Sequence, residues 1–178
     1  MVSQLKVNEI IKQSGSTLTI GQDGDTVSGP FTMVPAFHAY GSGSNQTVPD
    51  QTATKVTVFN TELFDSDNYF ASNRYTPLIA GKYFVYCNLT WSNNTANDYH
   101  NGSAQIRKNG TNISAPTNNW NASGGNQMGM HVGLTVDMNG SSDYVEVYVY
   151  QNTNSGNSVT ITASQSNASF GAYRLIGA

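Results

Sequence analysis

Lys82-Tyr83-Phe84-Val85-Tyr86-Cys87-Asn88-Leu89-Thr90-Trp91 is the longest apolar run in the chain. Read with a period of two, it is a strand. Tyr83, Val85, Cys87, Leu89 and Trp91 share one face, and Phe84, Tyr86, Asn88 and Thr90 share the other. Aromatic rings on both faces predict a central strand that is covered on both sides.

Short strands and turn signals extend in both directions from this run. Ala36-Phe37-His38-Ala39-Tyr40, Lys55-Val56-Thr57-Val58-Phe59 and Arg74-Tyr75-Thr76 precede it. Ser103-Ala104-Gln105-Ile106-Arg107-Lys108 follows, and Asn109-Gly110 then marks a primed hairpin turn into Thr111-Asn112-Ile113. Residues 116–126 read as a polar loop, and a strand lies within 128–138. Tyr144-Val145-Glu146-Val147-Tyr148-Val149-Tyr150 alternates cleanly, and strands at 159–163 and 169–176 close the chain. No stretch has the apolar period of a helix. Many short strands punctuated by Gly and Asn predict an all-β sandwich or barrel.

The 178 residues suffice for one domain and a short extension. Only 11% are charged and the net charge is −3, with the basic residues scattered, so no nucleic-acid footprint is expected. Cys87 is alone, which excludes an intrachain disulfide, and its apolar setting reads as a buried small hydrophobe. Residues 1–21 lack the basic and apolar regions of a signal peptide, and no run approaches a membrane span.

Residues 1–29 differ from the rest. Gln4-Leu5-Lys6-Val7-Asn8-Glu9-Ile10 and Thr17-Leu18-Thr19-Ile20 are two short strands with a Ser14-Gly15-Ser16 turn between them. Two short strands do not fold alone in water and need a partner. The domain reading is therefore 1–29 as an attachment or trimerisation segment and 30–178 as the head. Leu5, Val7, Ile10, Leu18 and Ile20 would bury against a particle.

From residue 36 to 176, the order of motifs resembles the C1q globular domain and the tumour-necrosis-factor-like jelly rolls. Val58-Phe59-Asn60 with Phe64-Asp65, the segment Tyr75-Thr76-Pro77-Leu78-Ile79-Ala80-Gly81-Lys82-Tyr83-Phe84, and Lys108-Asn109-Gly110 carry the likeness. So do Leu134-Thr135-Val136, Tyr144-Val145-Glu146-Val147 and the terminal Phe170-Gly171-Ala172-Tyr173-Arg174-Leu175. Two features depart from the family: there is no Gly-X-Y stem, and Gly140-Ser141-Ser142-Asp143 replaces a Gly-Asp turn. The N-terminal Leu5-Lys6-Val7-Asn8 and Ser16-Thr17-Leu18-Thr19-Ile20-Gly21 are similar to the start of virion proteins of marine and cyanobacterial phages.

The resemblance implies a homotrimer in which the edge of one jelly roll packs against the sheet of the next. Tyr83, Phe84, Tyr86, Tyr148, Tyr150 and Tyr173 are the interface candidates. The N-terminal similarity, with the missing signal peptide, implies a non-enzymatic role as a phage fibre or tail-fibre head on the virion surface, extracellular after lysis. The partners would be a capsid or tail protein and a host-surface glycan, with no nucleic acid and no membrane insertion. A capsid decoration or capsid-fibre protein is one alternative, and a secreted C1q-like lectin or cytokine-like protein is another.

Catalysis finds no support in motif. His38, His100 and His131 are far apart, and there is no Gly-x-Ser-x-Gly elbow or zinc-ligand cluster. A hydrolase on the same scaffold stays as a third class. No cofactor is expected. Asp65 and Asp67 offer alternate hard oxygens as a calcium candidate, against the reading of a solvated turn. The ligand candidates lie in loops 91–102 and 116–129. There Tyr99 and Trp120 could stack on a sugar, and Asn119 and Asn121 could bond its hydroxyls.

Overall fold

The computed structural model describes residues 34–93, 98–114, 116–119 and 126–176. The expectations for 1–29, with Leu5, Val7, Ile10, Leu18 and Ile20, lie outside the described residues, as do Trp120 and Asn121. The described chain is all β. In order the strands are β1 (Ala36–Gly41), β2 (Gln46–Val48), β3 (Thr54–Lys55), β4 (Phe59–Asp65), β5 (Phe70–Ala71), β6 (Arg74–Tyr75) and β7 (Gly81–Ser92). There follow β8 (Tyr99–Lys108), β9 (Thr111–Ser114), β10 (Thr117–Asn119), β11 (Gln127–Met138), β12 (Val145–Thr153), β13 (Val159–Ile161) and β14 (Ala168–Arg174).

They form two antiparallel sheets. The first runs β2-β13-β7-β14-β1-β4, with β11 on the remaining edge of β7. The second runs β10-β8-β12-β6-β5, with β3 on β12 and β9 on β8. β7 is the hub of the first sheet. It pairs along its whole length with β11, from Met138↔Gly81 to Gln127↔Ser92. Its other edge is shared by β14 and β13.

The alternation expected for β7 is the one observed. Tyr83, Val85, Cys87, Leu89 and Trp91 are buried between the sheets with Phe37, Tyr75, Ile106, Val147, Val149 and Phe170. Phe37 anchors this layer, stacked 4.3 Å from Tyr75 and edge-on 4.9 Å from Phe170. Such ring pairs add about 0.5–1.5 kcal/mol each beyond the area they bury. Burial pushes the Cys87 thiol up to about 12, against a small opposing contact with the Val132 backbone. It packs as a hydrophobe, not as a nucleophile.

Two expectations about elements are corrected. Residues 55–59 are not one strand: Thr54–Lys55 belongs to the second sheet and Phe59 opens β4 in the first. Between them the chain crosses the sandwich. Val56 and Val58 are buried on the way, and Val56 N–H donates to Val147 O at 2.9 Å. The loop read at 116–126 contributes β10, which pairs with β8 from Thr117↔Ser103 to Asn119↔Asn101. The Asn109-Gly110 turn is as read, with φ of 51° and 80° at its central residues.

The β12–β13 turn is pinned by one carboxylate. Asp98 accepts from Ser155 N–H at 2.9 Å, from the Ser155 hydroxyl, and from the amides of Asn93 and Asn157. These bonds, the Ser155 hydroxyl foremost, hold its carboxyl below the ordinary carboxylate range against the opposing effect of burial. A lowered native pKa means the contribution is present above the unfolded value, about 3.9, and is lost as pH falls through the lower native one. Asp98→Asn should therefore lower stability at neutral pH. The difference from wild type should close below pH ~3.9, as read by urea unfolding across the acid range.

Candidate functional site

The outward face of the first sheet carries a cluster of rings. Phe84 and Tyr86 of β7 point away from the core because Tyr83 and Val85 point into it. Tyr173 of β14 lies opposite Phe84 in register, and their ring centres are 5.6 Å apart. Phe84 and Tyr86 stack at 6.2 Å. His38 of β1 continues the row. Its Nδ1 is 2.9 Å from Tyr86 Oη, and its ring lies 6.3 Å from that of Phe64 on β4. Burial lowers the His38 pKa, so the neutral ring is favoured there. Phe64 and Tyr173 are 49% and 45% exposed, large values for aromatic side chains within strands.

Glycines let these rings lie flat. A Cβ on Gly171 would fall 2.4 Å from Tyr86 Oη, and one on Gly133 would fall 2.8 Å from Phe84 Cζ. Both glycines sit opposite Tyr86 in register, one on each flanking strand. The edge next to this face is also apolar. In the β1–β4 register, Phe64 faces His38 and Glu62 faces Ala39, which leaves Leu63 as the extra residue of a bulge. Leu63 is 60% exposed.

Of the six interface candidates, the structure brings Phe84, Tyr86 and Tyr173 together. Tyr83 is corrected: it is fully buried in its own chain, and its hydroxyl donates to Ile79 O at 2.7 Å. The parity of β7 that exposes Phe84 requires this. Tyr148 and Tyr150 lie on the outward face of the second sheet, because Val147 and Val149 point into the core. They are on the opposite side of the sandwich from Phe84. Sequence reading missed His38, Phe64 and Leu63. The alternation of residues 36–40 did place His38 on the face opposite buried Phe37.

The ligand candidates do not assemble as expected. Tyr99 is corrected: it opens β8, is buried, and its hydroxyl donates to Trp91 O at 3.3 Å. It cannot stack on a sugar. Asn119 ends β10 beside Asn101. Asp65 and Asp67 are occupied within their own loop. Asp65 accepts from Phe70 N–H at 2.7 Å, and Asp67 accepts from the Ser66 hydroxyl at 2.5 Å. Among the described residues, no group of three or more His, Cys, Asp or Glu could hold a metal ion. His131 bonds Asn88 at 2.7 Å, and His100 bonds Asn101 and Asn152.

Two face-packed antiparallel sheets in this order form a jelly roll of the C1q and tumour-necrosis-factor type. Solved structures share it. Murine APRIL superposes with a TM-score of 0.58 at 10% identity, covering 80% of this chain and 100% of that one. Eiger TNF from S. frugiperda gives 0.58 at 12% identity, covering 82% and 94%. The globular domain of zebrafish complement 1qA gives 0.54 at 14%, covering 80% and 98%. No protein-family model matches the chain, and no curated protein sequence does.

Gly171→Ala tests the flat-ring geometry. The added methyl must displace Tyr86, and it also meets the Phe37 carbonyl at 2.9 Å. A loss of about 1–3 kcal/mol is expected in denaturant unfolding, together with altered His38 ring resonances by NMR. Gly129→Ala is the control. It lies on β11, across β7 from β14 on the same face, with its nearest contact at an ordinary 3.6 Å, and should change neither.

Proposed function

We propose that this chain is a non-enzymatic binding module that works as a homotrimer, sealed through the ring-bearing face of the first sheet. The observation that carries the reading is the pairing of two unlike apolar surfaces on one molecule. One is a flat aromatic face made by His38, Phe84, Tyr86 and Tyr173, and the other is an edge strand that exposes Leu63 and Phe64. Unlike surfaces meet head to tail, and a head-to-tail contact that closes makes a ring. Three copies, each laying its β4 edge on the next face, would cover the rings with no open-ended growth. The jelly-roll likeness supports this arrangement. Obligate contacts of this kind bury more than ~2,000 Å².

In this reading residues 1–29 form the attachment segment, and residues 30–178 form the head. Leu5, Val7, Ile10, Leu18 and Ile20 dock on a capsid or tail protein of a phage, and the head faces the host surface as a fibre or tail-fibre head that binds glycan. The support is the strand-turn-strand pattern of the N-terminus and its similarity to virion proteins. A second reading, a free C1q-like binding protein, draws support from the complement and tumour-necrosis-factor structures that share the fold.

Tyr173→Glu and Leu63→Lys test the assembly. Both side chains are exposed in the single chain, so the fold should persist by circular dichroism. Each variant should elute as a single subunit in size-exclusion chromatography where wild type elutes as a ring. Unchanged elution of both would remove this face from the interface. Deleting residues 2–25 tests the attachment: the expected product is a soluble ring that no longer binds particles. Particle binding that survives the deletion takes the role away from that segment.

A further inference from the structure

The outward face of the second sheet has a different chemistry. Three of the chain's eight basic residues, Lys55, Arg74 and Arg107, gather there around a single carboxylate. That carboxylate is Glu146, outward on β12 yet only 3% exposed. One of its oxygens takes the Lys55 ammonium, and the other takes an Arg74 Nη at 3.3 Å. Two cations on one anion leave a positive charge in excess. Arg107, opposite Glu146 in register, adds to it: its guanidinium bonds the neutral Gln105 Oε1 at 2.8 Å and stacks 3.9 Å over the Tyr148 ring.

Arg74 is held firmly but incompletely satisfied. Its guanidinium carbon lies 3.8 Å over the Tyr144 ring. Its Nε is buried and has no hydrogen-bond partner. A buried donor left unpaired costs about 1–3 kcal/mol. Beside it lies a cleft of about 530 Å³, within the range of small-ligand sites. Lys55 and Arg74 line it together with Tyr69, Ser72, Thr76 and Leu78. Ser72 and Asn73 form the β5–β6 turn at its rim, and both are left-handed, with φ of 52° and 57°. These are the positive φ values that a two-residue primed hairpin turn requires.

These groups select a ligand class. The cations ask for an anion. The hydroxyls of Ser72 and Thr76 suit a polyol, and Tyr69 and Leu78 give an apolar wall on which a sugar ring can rest. A bare inorganic anion would leave that wall unused, and a neutral sugar would leave the charge uncompensated. We propose that this cleft binds a carboxylated sugar of the uronate type, with its carboxylate at Arg74 and Lys55 and its hydroxyls on Ser72 and Thr76. The assignment rests on the surface-glycan reading above, but not on the number of subunits.

The experiment titrates the full chain with trigalacturonate, its neutral galactose counterpart and acetate, followed by calorimetry and saturation-transfer NMR. Trigalacturonate should bind at least ~10-fold more tightly than either control. Arg74→Gln should weaken it ~10-fold or more. Arg74→Lys keeps Glu146 compensated and guards against misfolding, and it should weaken binding by a smaller factor. Glu146→Gln, which frees both cations, should tighten it, an outcome that a merely structural Glu146 does not give. Neutral sugar binding as well as uronate, acetate matching the trisaccharide, indifference to both Arg74 variants, or no binding up to ~50 mM would each overturn the assignment. Sedimentation of the same samples keeps the two readings apart, since a ring that binds no uronate fails here and leaves the assembly standing.

Discussion

Strand β7 sets the terms for everything else in the molecule. Its inner face, Tyr83, Val85, Cys87, Leu89 and Trp91, is locked into the core, and both of its edges are hydrogen-bonded. Because alternation in a strand is strict, fixing the inner face also fixes the outer one. Phe84 and Tyr86 are forced outward, and a slip of one residue would exchange a buried Trp91 for a buried Thr90. These outward, half-buried rings are therefore not a local accident. They follow from the packing that makes the domain stable.

The neighbouring strands accommodate that consequence. Gly133 and Gly171 remove the side chains that would otherwise lift the rings off the sheet. His38 and Phe64 extend the surface across β1 to the edge strand. The far side of the sandwich has a different chemistry. There Glu146 is buried beneath two cations, and Tyr144 and Tyr148 serve as platforms for Arg74 and Arg107. The two outward faces thus differ in chemistry, as the proposed self-association through one and the proposed acidic ligand on the other require. A trimer sealed through the first sheet leaves the second sheet's face open on its outside.

The sequence made the fold legible where local signals and burial agree. The run around Cys87, the Asn109-Gly110 turn and the alternation of residues 144–150 each specify a strand or turn on their own. Residues 55–59 misled because Val56 and Val58 alternate like a strand while the chain crosses between sheets. Both layers share one core, so periodicity cannot show the crossing. Tyr99 misled for a related reason. Polar residues on either side suggested a loop, but β8 runs on to Tyr99 and buries it under Trp91. The Lys55, Arg74 and Glu146 constellation was invisible, since its members come from three strands that meet only in the folded sheet. Tyr148 and Tyr150 share with Phe84 only that they are aromatics on central strands. Sequence alone does not say which outward face each one occupies.

The central claim is that the rings on the first sheet are covered by other copies of the same chain. Sedimentation equilibrium of the intact protein at micromolar concentration tests it most directly. The account predicts a molar mass three times that of the 19.1 kDa chain. A stable species at the mass of one chain would contradict it.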